Sequence, residues 1–124
     1  MKGRPLAIVR IYLRRRSQKT RGLRSLFARP LSRYLVEEAL KSGVLYATAM
    51  LGQFGFVQGA KRVEYDSVEV SVETLPSCVE LVAPPDTLER FLASHRNELE
   101  DATIVLLDGV EVSLTDLASL GQGA

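Results

Sequence analysis

Apolar and polar positions alternate first over Leu6–Leu13, where Ala7, Val9, Ile11 and Leu13 form one face and Leu6, Ile8, Arg10 and Tyr12 the other. Period two marks a strand, and a strand apolar on both sides belongs in the middle of its sheet. Arg14–Ala28 has no clean period and reads as a basic loop. From Pro30 the spacing changes to three and four. Leu31, Tyr34, Leu35, Ala39 and Leu40 make a helical stripe, with Pro30 suited to the first helical position, Lys41 in the last turn and Gly43 as the stop. Val44–Leu51 reads as a second strand, broken by Gly52-Gln53-Phe54-Gly55-Phe56. Gly59 and Lys61–Asp66 extend the break into a long connection.

Ser67–Glu73 alternates strictly, with Val68, Val70 and Val72 against Glu69, Ser71 and Glu73, the pattern of a half-exposed strand. Leu75-Pro76 interrupts it and Cys78–Ala83 resumes extended structure. After Pro84-Pro85, the sequence Asp86-Thr87-Leu88-Glu89 resembles a capping box that opens a second helix. The spacing of Leu88, Phe91, Leu92, His95 and Leu99 gives that helix its buried face. Thr103–Leu107 and Val110–Leu114 flank Asp108-Gly109, a short-hairpin signal that predicts one extra short strand near the C-terminus. The order βαββαβ defines an α+β, ferredoxin-like fold, with an antiparallel sheet carrying two helices on one face. The other face must be wet or meet a partner, and Arg10 on it suits a subunit contact.

At 124 residues the chain is expected to be a single domain, with a core over 6–114, the basic loop 14–28 and a flexible tail over 115–124. Its 46% hydrophobic and 25% charged residues are ordinary globular composition. No apolar run is long enough to span a membrane, and no secretory leader is visible. One cysteine, Cys78, excludes an intramolecular disulfide, and a cytoplasmic setting is expected.

The net charge of +1 conceals an asymmetry. Residues 1–33 hold 11 of the 16 Lys and Arg and no acid, while the rest hold all 15 acids. A basic block of this kind holds an anionic ligand, docks a polyanion, or pairs with its own acidic remainder. Nucleic acid is not expected, because only Phe27 and Tyr34 lie close enough to stack. A membrane-surface helix would need more than Leu23, Leu26 and Phe27.

Candidate chemistry is sparse. Gly52-x-x-Gly55 follows a strand, where backbone N–H groups can cradle a phosphate, although the GK[ST] of a P-loop is missing. Lys61 and Arg62 in the connection can neutralise an anion. His95 lies on a buried stripe without neighbouring ligands, so no metal site is expected. Cys78 reads as a buried, inert thiol. Glu98, Glu100 and Asp101 read as a solvated turn. No nucleophile, base and oxyanion donors converge, so the chain is not expected to be an enzyme.

The run Ala28-Arg29-Pro30-Leu31, then a helix, Ser42-Gly43 and Ala47-Thr48 resembles the pattern of an uncharacterised PII-like family, DUF190. The likeness continues through Gly52, Gly55-Phe56, Leu75-Pro76, Val79-Glu80-Leu81-Val82 and Val110-Glu111-Val112, roughly residues 6–114. Leu51 departs from it, since the family commonly has arginine before this glycine, and the first loop is longer and more basic. The resemblance implies a protomer of the ferredoxin-like PII/CutA-type superfamily that assembles as a trimer. It further implies clefts between subunits that bind a small anionic effector such as an adenine nucleotide. A long loop after the second strand would contact a partner protein, for example a membrane transporter or an enzyme. Gly52, Gln53 and Gly55 are then expected to approach the ligand by backbone, with Arg14, Lys61 and Arg62 supplying charge. Binding is expected to order Gly55–Glu73 or Arg14–Ala28 and so alter docking. The competing expectation is a scaffolding oligomer whose basic loop docks an acidic protein, lipid or nucleic acid without a small ligand.

Overall fold

The computed structural model describes residues 3–13, 30–65, 76–115 and 117. The strand expected over Ser67–Glu73, the basic loop 14–28 and most of the tail lie outside the described residues.

The first alternating segment forms β1, Pro5–Leu13, and the resumed extended segment forms β5, Ser77–Ala83. With β2, Tyr46–Leu51, and β6, Thr103–Val110, they make a four-stranded sheet in the order β2-β5-β1-β6. All three pairings are antiparallel. The strand that is apolar on both sides is internal, as its pattern requires. Its odd-numbered face, Ala7, Val9, Ile11 and Leu13, joins Val79, Leu81 and Ala83 of β5 in the core.

Two helices cover that face. In α1, Leu31–Lys41, the residues Leu31, Tyr34, Leu35 and Ala39 are buried. Leu40, expected on the stripe, is instead exposed, because one residue turns the helix by about 100° away from Ala39. Pro30 is the N-cap rather than the first helical residue, and its carbonyl accepts from the Tyr34 N–H at 3.2 Å. Gly43 stands just past the end at φ +81°, a left-handed turn that only glycine adopts freely, and Val44 N–H returns to the Ala39 carbonyl. In α2, Pro85–Ser94, Leu88 and Phe91 are buried, and the stripe runs on through His95 and Leu99. The expected capping box does not form. The helix starts earlier, at Pro85, with Pro84 as an N-cap that makes no side-chain bond. Proline at the first position has no N–H to satisfy, and its φ is already helical.

The hairpin expected at Asp108-Gly109 is also absent. These residues lie within β6, opposite Ala7 and Leu6, and the chain stays beside β1 beyond them: Glu111 N–H donates to the Arg4 carbonyl at 2.8 Å. Eight consecutive pairings with β1 outweigh the turn preference of one dipeptide. Gly109 has no positive φ, which a two-residue turn demands. No strand follows β6 among the described residues.

The long connection after β2 contains an element that alternation did not reveal. β3, Phe54–Gly55, pairs with β4, Glu64–Tyr65, as a small separate ribbon. Phe54 and Tyr65 stack across it with ring centres 5.7 Å apart.

Candidate functional site

Alternation along β1 fixes what lies on the uncovered face of the sheet. Leu6, Ile8, Arg10 and Tyr12 stand there, and the register brings Val82, Glu80 and Cys78 of β5 alongside. Beyond them come Tyr46, Thr48 and Met50 of β2, and Leu107, Val105 and Thr103 of β6. Tyr46, Met50, Val105 and Leu107 are all exposed. Among these mostly apolar side chains sits one ion pair: Arg10 Nε donates to Glu80 Oε2 at 3.0 Å. The hydrogen bond to Glu80 and its charge hold the Arg10 guanidinium above the ordinary arginine range. Burial pushes the neighbouring Cys78 thiol up.

At one end of this face the surface opens into a depression of about 560 Å³. Arg10 and Tyr12 from β1, Ser77, Cys78 and Glu80 from β5, and Met50 and Leu51 from β2 form its base. Gly52, Phe54, Gly55, Phe56 and Pro76 form its rim. A second pocket of about 230 Å³ adjoins it, sharing Tyr12, Phe56, Pro76 and Ser77, and adds Val57, Gln58 and Thr103. The Thr103 hydroxyl donates to Gln58 Oε1 at 3.3 Å.

The bend that makes the rim has local causes. Gly52 N–H donates to the Pro76 carbonyl at 2.9 Å, closing β2 onto the start of β5. Gly55 takes φ +155°, and a Cβ there would stand 3.4 Å from Pro76 Cγ. A side chain at this position would therefore be strained and would press on the rim.

The structure brings Gly52 and Gly55 together at the depression, with the Gly52 N–H already engaged within the fold. Gln53 is exposed beside them and does not line it. Lys61 and Arg62 lie further along the connection, exposed, with Arg62 Nε 3.7 Å from Glu64 Oε1. Arg14 lies outside the described residues. Site reasoning from the glycines alone missed Tyr12, Phe54, Phe56, Ser77, Gln58 and Thr103, and placed Arg10 only at a subunit contact. Alternation on β1 already put Arg10 and Tyr12 on one face. The remainder required the register of β5 and β6. Among the described residues no cluster of three or more His, Cys, Asp or Glu side chains could hold a metal, and no helix is long and apolar enough to cross a membrane.

A ferredoxin-like sheet with one bare face, two helices behind it and a ribbon after its second strand is the architecture of PII-like proteins. The chain belongs to the DUF190 family, described as "Uncharacterized ACR", whose model matches residues 6–112. Solved structures agree on the fold. A PII-like nitrogen regulatory protein from Thiomonas intermedia, solved with ADP, AMP and bicarbonate, is similar with a TM-score of 0.52 and 17% identity, covering 90% of this chain and 100% of that one. A candidate PII-like signalling protein from Thermus thermophilus gives 0.54 and 18%, covering 95% and 98%. The divalent ion tolerance protein CutA1 from Ehrlichia chaffeensis gives 0.55 with 6% identity, covering 98% and 96%. No curated protein matches the sequence significantly.

Proposed function

We propose that this protein is a PII-like regulator, not an enzyme, that assembles through its bare sheet face as a trimer. It binds a small anionic effector, an adenine nucleotide, in clefts between subunits. One observation carries the reading: the depression at the end of the open face unites a guanidinium, exposed aromatic rings and a glycine-bent rim. Arg10 spends its Nε on Glu80 and also hydrogen-bonds Tyr12, and the remaining N–H donors of its guanidinium can meet phosphate oxygens. The exposed Phe56 ring, and the face of Phe54 that is not stacked on Tyr65, are available to a base. At about 560 Å³ the depression falls within the usual range for small-molecule sites. It is open, and a neighbouring subunit on the same face would wall it in. Similarity to a fold that has been solved with ADP and AMP supports the choice of nucleotide.

Lys61 and Arg62 sit between β3 and β4, and Gln53 at the start of the ribbon. In this reading they meet the effector, or the partner protein, only once the connection closes over the site. The effector shifts docking by its differential affinity for the two arrangements of this connection. Such a regulator works in the cytoplasm, on a transporter or an enzyme.

A thermal-shift series with ATP, ADP, AMP, cyclic nucleotides and polyphosphate at two salt concentrations tests this. A ligand at about 100 times its dissociation constant adds about 2.7 kcal/mol of stability. Stabilisation by one nucleotide and not by polyphosphate is the expected result. Equal shifts with every polyanion, erased by salt, would instead assign the basic block 14–33 to polyanion docking by a scaffolding oligomer.

A further inference from the structure

The two adjoining pockets differ in size and in chemistry. The larger holds the Arg10 guanidinium. The smaller, at about 230 Å³, lies below the range that takes a whole drug-sized ligand, and suits one planar ring system. Tyr12, Phe56 and Pro76 give it flat apolar walls, and Gln58, Ser77 and Thr103 give it polar groups. Because the two share a wall, a ligand with a ring at one end and negative charge at the other spans both.

Gln58 is the group in the smaller pocket with the most directional information. Its Oε1 accepts from the Thr103 hydroxyl, a contact between residues 45 apart in sequence. An unrestrained carboxamide can flip and present its donor and acceptor in either order. The Thr103 hydroxyl, which can donate to Oε1 or accept from Nε2, holds the carboxamide in place in either order and leaves it an acceptor lone pair and an N–H donor to offer. A carboxamide so held matches the N7 acceptor and 6-amino donor of adenine in a bidentate pair. Guanine sets O6 in place of the amino group, so two acceptors would face each other.

We infer that Gln58, oriented by Thr103, reads the base at this site and selects adenine over guanine nucleotides. Thr103 is a positioning residue, acting through Gln58. The inference rests on the nucleotide reading above.

Calorimetric titration of the full chain with ADP and GDP tests it, using the unaltered protein and the exposed-site variants Gln58→Leu and Thr103→Val. The unaltered protein is expected to bind ADP roughly ten-fold or more tightly than GDP, as a bidentate base contact provides. Gln58→Leu should abolish that preference. Thr103→Val should narrow it while ADP still binds, because the carboxamide is no longer held in place. A preference that survives Gln58→Leu, or an unaltered protein that binds both nucleotides equally, would overturn the role of Gln58 and leave nucleotide binding standing. No binding of either nucleotide would remove both readings together.

Discussion

Arg10 and Glu80 occupy paired positions on β1 and β5 and meet through a 3.0 Å hydrogen bond in the middle of a mostly apolar sheet face. With its side chains 43% and 30% exposed, the pair is screened by water and contributes little on its own. Arg10→Met should therefore lower the thermal midpoint by no more than a few degrees, and adding Glu80→Met should recover most of that loss. Equal midpoints for the single and double variants would show that the two side chains do not depend on each other.

The Arg10 side of the pair should add no pH dependence to stability near neutral pH. Arg10 is held above the ordinary arginine range, so its contribution is complete below that range and is lost only as pH rises through it. Cys78 is the group expected to act at milder alkaline pH. Burial raises its thiol, so the folded state keeps the proton longer than the unfolded chain does. That contribution is full below the ordinary thiol value, roughly 8.5, and fades as pH climbs through the raised one. Denaturant melts from pH 7 to 10 should show a downward slope that Cys78→Ala reduces.

Gly43 and Gly109 should respond oppositely to alanine. Gly43 stands at φ +81°, so Gly43→Ala should cost about 1 kcal/mol. Gly109 lies in a strand, and a Cβ there would meet the Leu6 carbonyl oxygen at an ordinary 3.5 Å. Gly109→Ala should be neutral or stabilise by about 0.5–1 kcal/mol. A clear loss at Gly109 in urea melts would restore a turn at Asp108-Gly109.

His95 is buried against Phe91, with ring centres 4.5 Å apart, and edge-on to Tyr34, while its Nδ1 has no hydrogen-bond partner among the described residues. An apolar ring would remove that unsatisfied atom without opening a cavity. His95→Phe should match or exceed the unaltered protein by up to about 1 kcal/mol, whereas His95→Ala should fall below it. Chemical denaturation of the three proteins decides this.

Leu107 on β6 stands opposite Ile8 on the open face and is exposed. If a second subunit covers this face, Leu107→Glu places a carboxylate in the contact. Light scattering should report a smaller assembly, with unchanged far-ultraviolet circular dichroism. An unaltered protein that is already monomeric at micromolar concentration would remove the cleft between subunits.

Much of this architecture was legible because period two and period three-to-four are so clean in it. β1 was placed in the interior from its two apolar faces alone, and the burial of Leu88, Phe91, His95 and Leu99 was read correctly although α2 itself ends at Ser94. Asp108-Gly109 misled for a physical reason: turn preference is local, whereas β6 is fixed by partners at the far end of the chain. The β3–β4 ribbon was hidden because two-residue strands are too short to show alternation. The site was legible only in part. Gly52 and Gly55 announced a bend, but Gln58 and Thr103 have no sequence relation and are joined only when β6 lies beside β1.

The strand order carries a further consequence, for the making of the protein. Of the described strands β1 leaves the ribosome first, yet it pairs with β5 and β6, which are synthesised last among them, so its ladder waits until they emerge. Long-range pairing of this kind slows folding. A nascent chain that stalls before Thr103 would hold β1 with one edge bare, a row of free backbone donors and acceptors open to any passing strand. Chaperone demand during translation should thus peak just before β6 emerges.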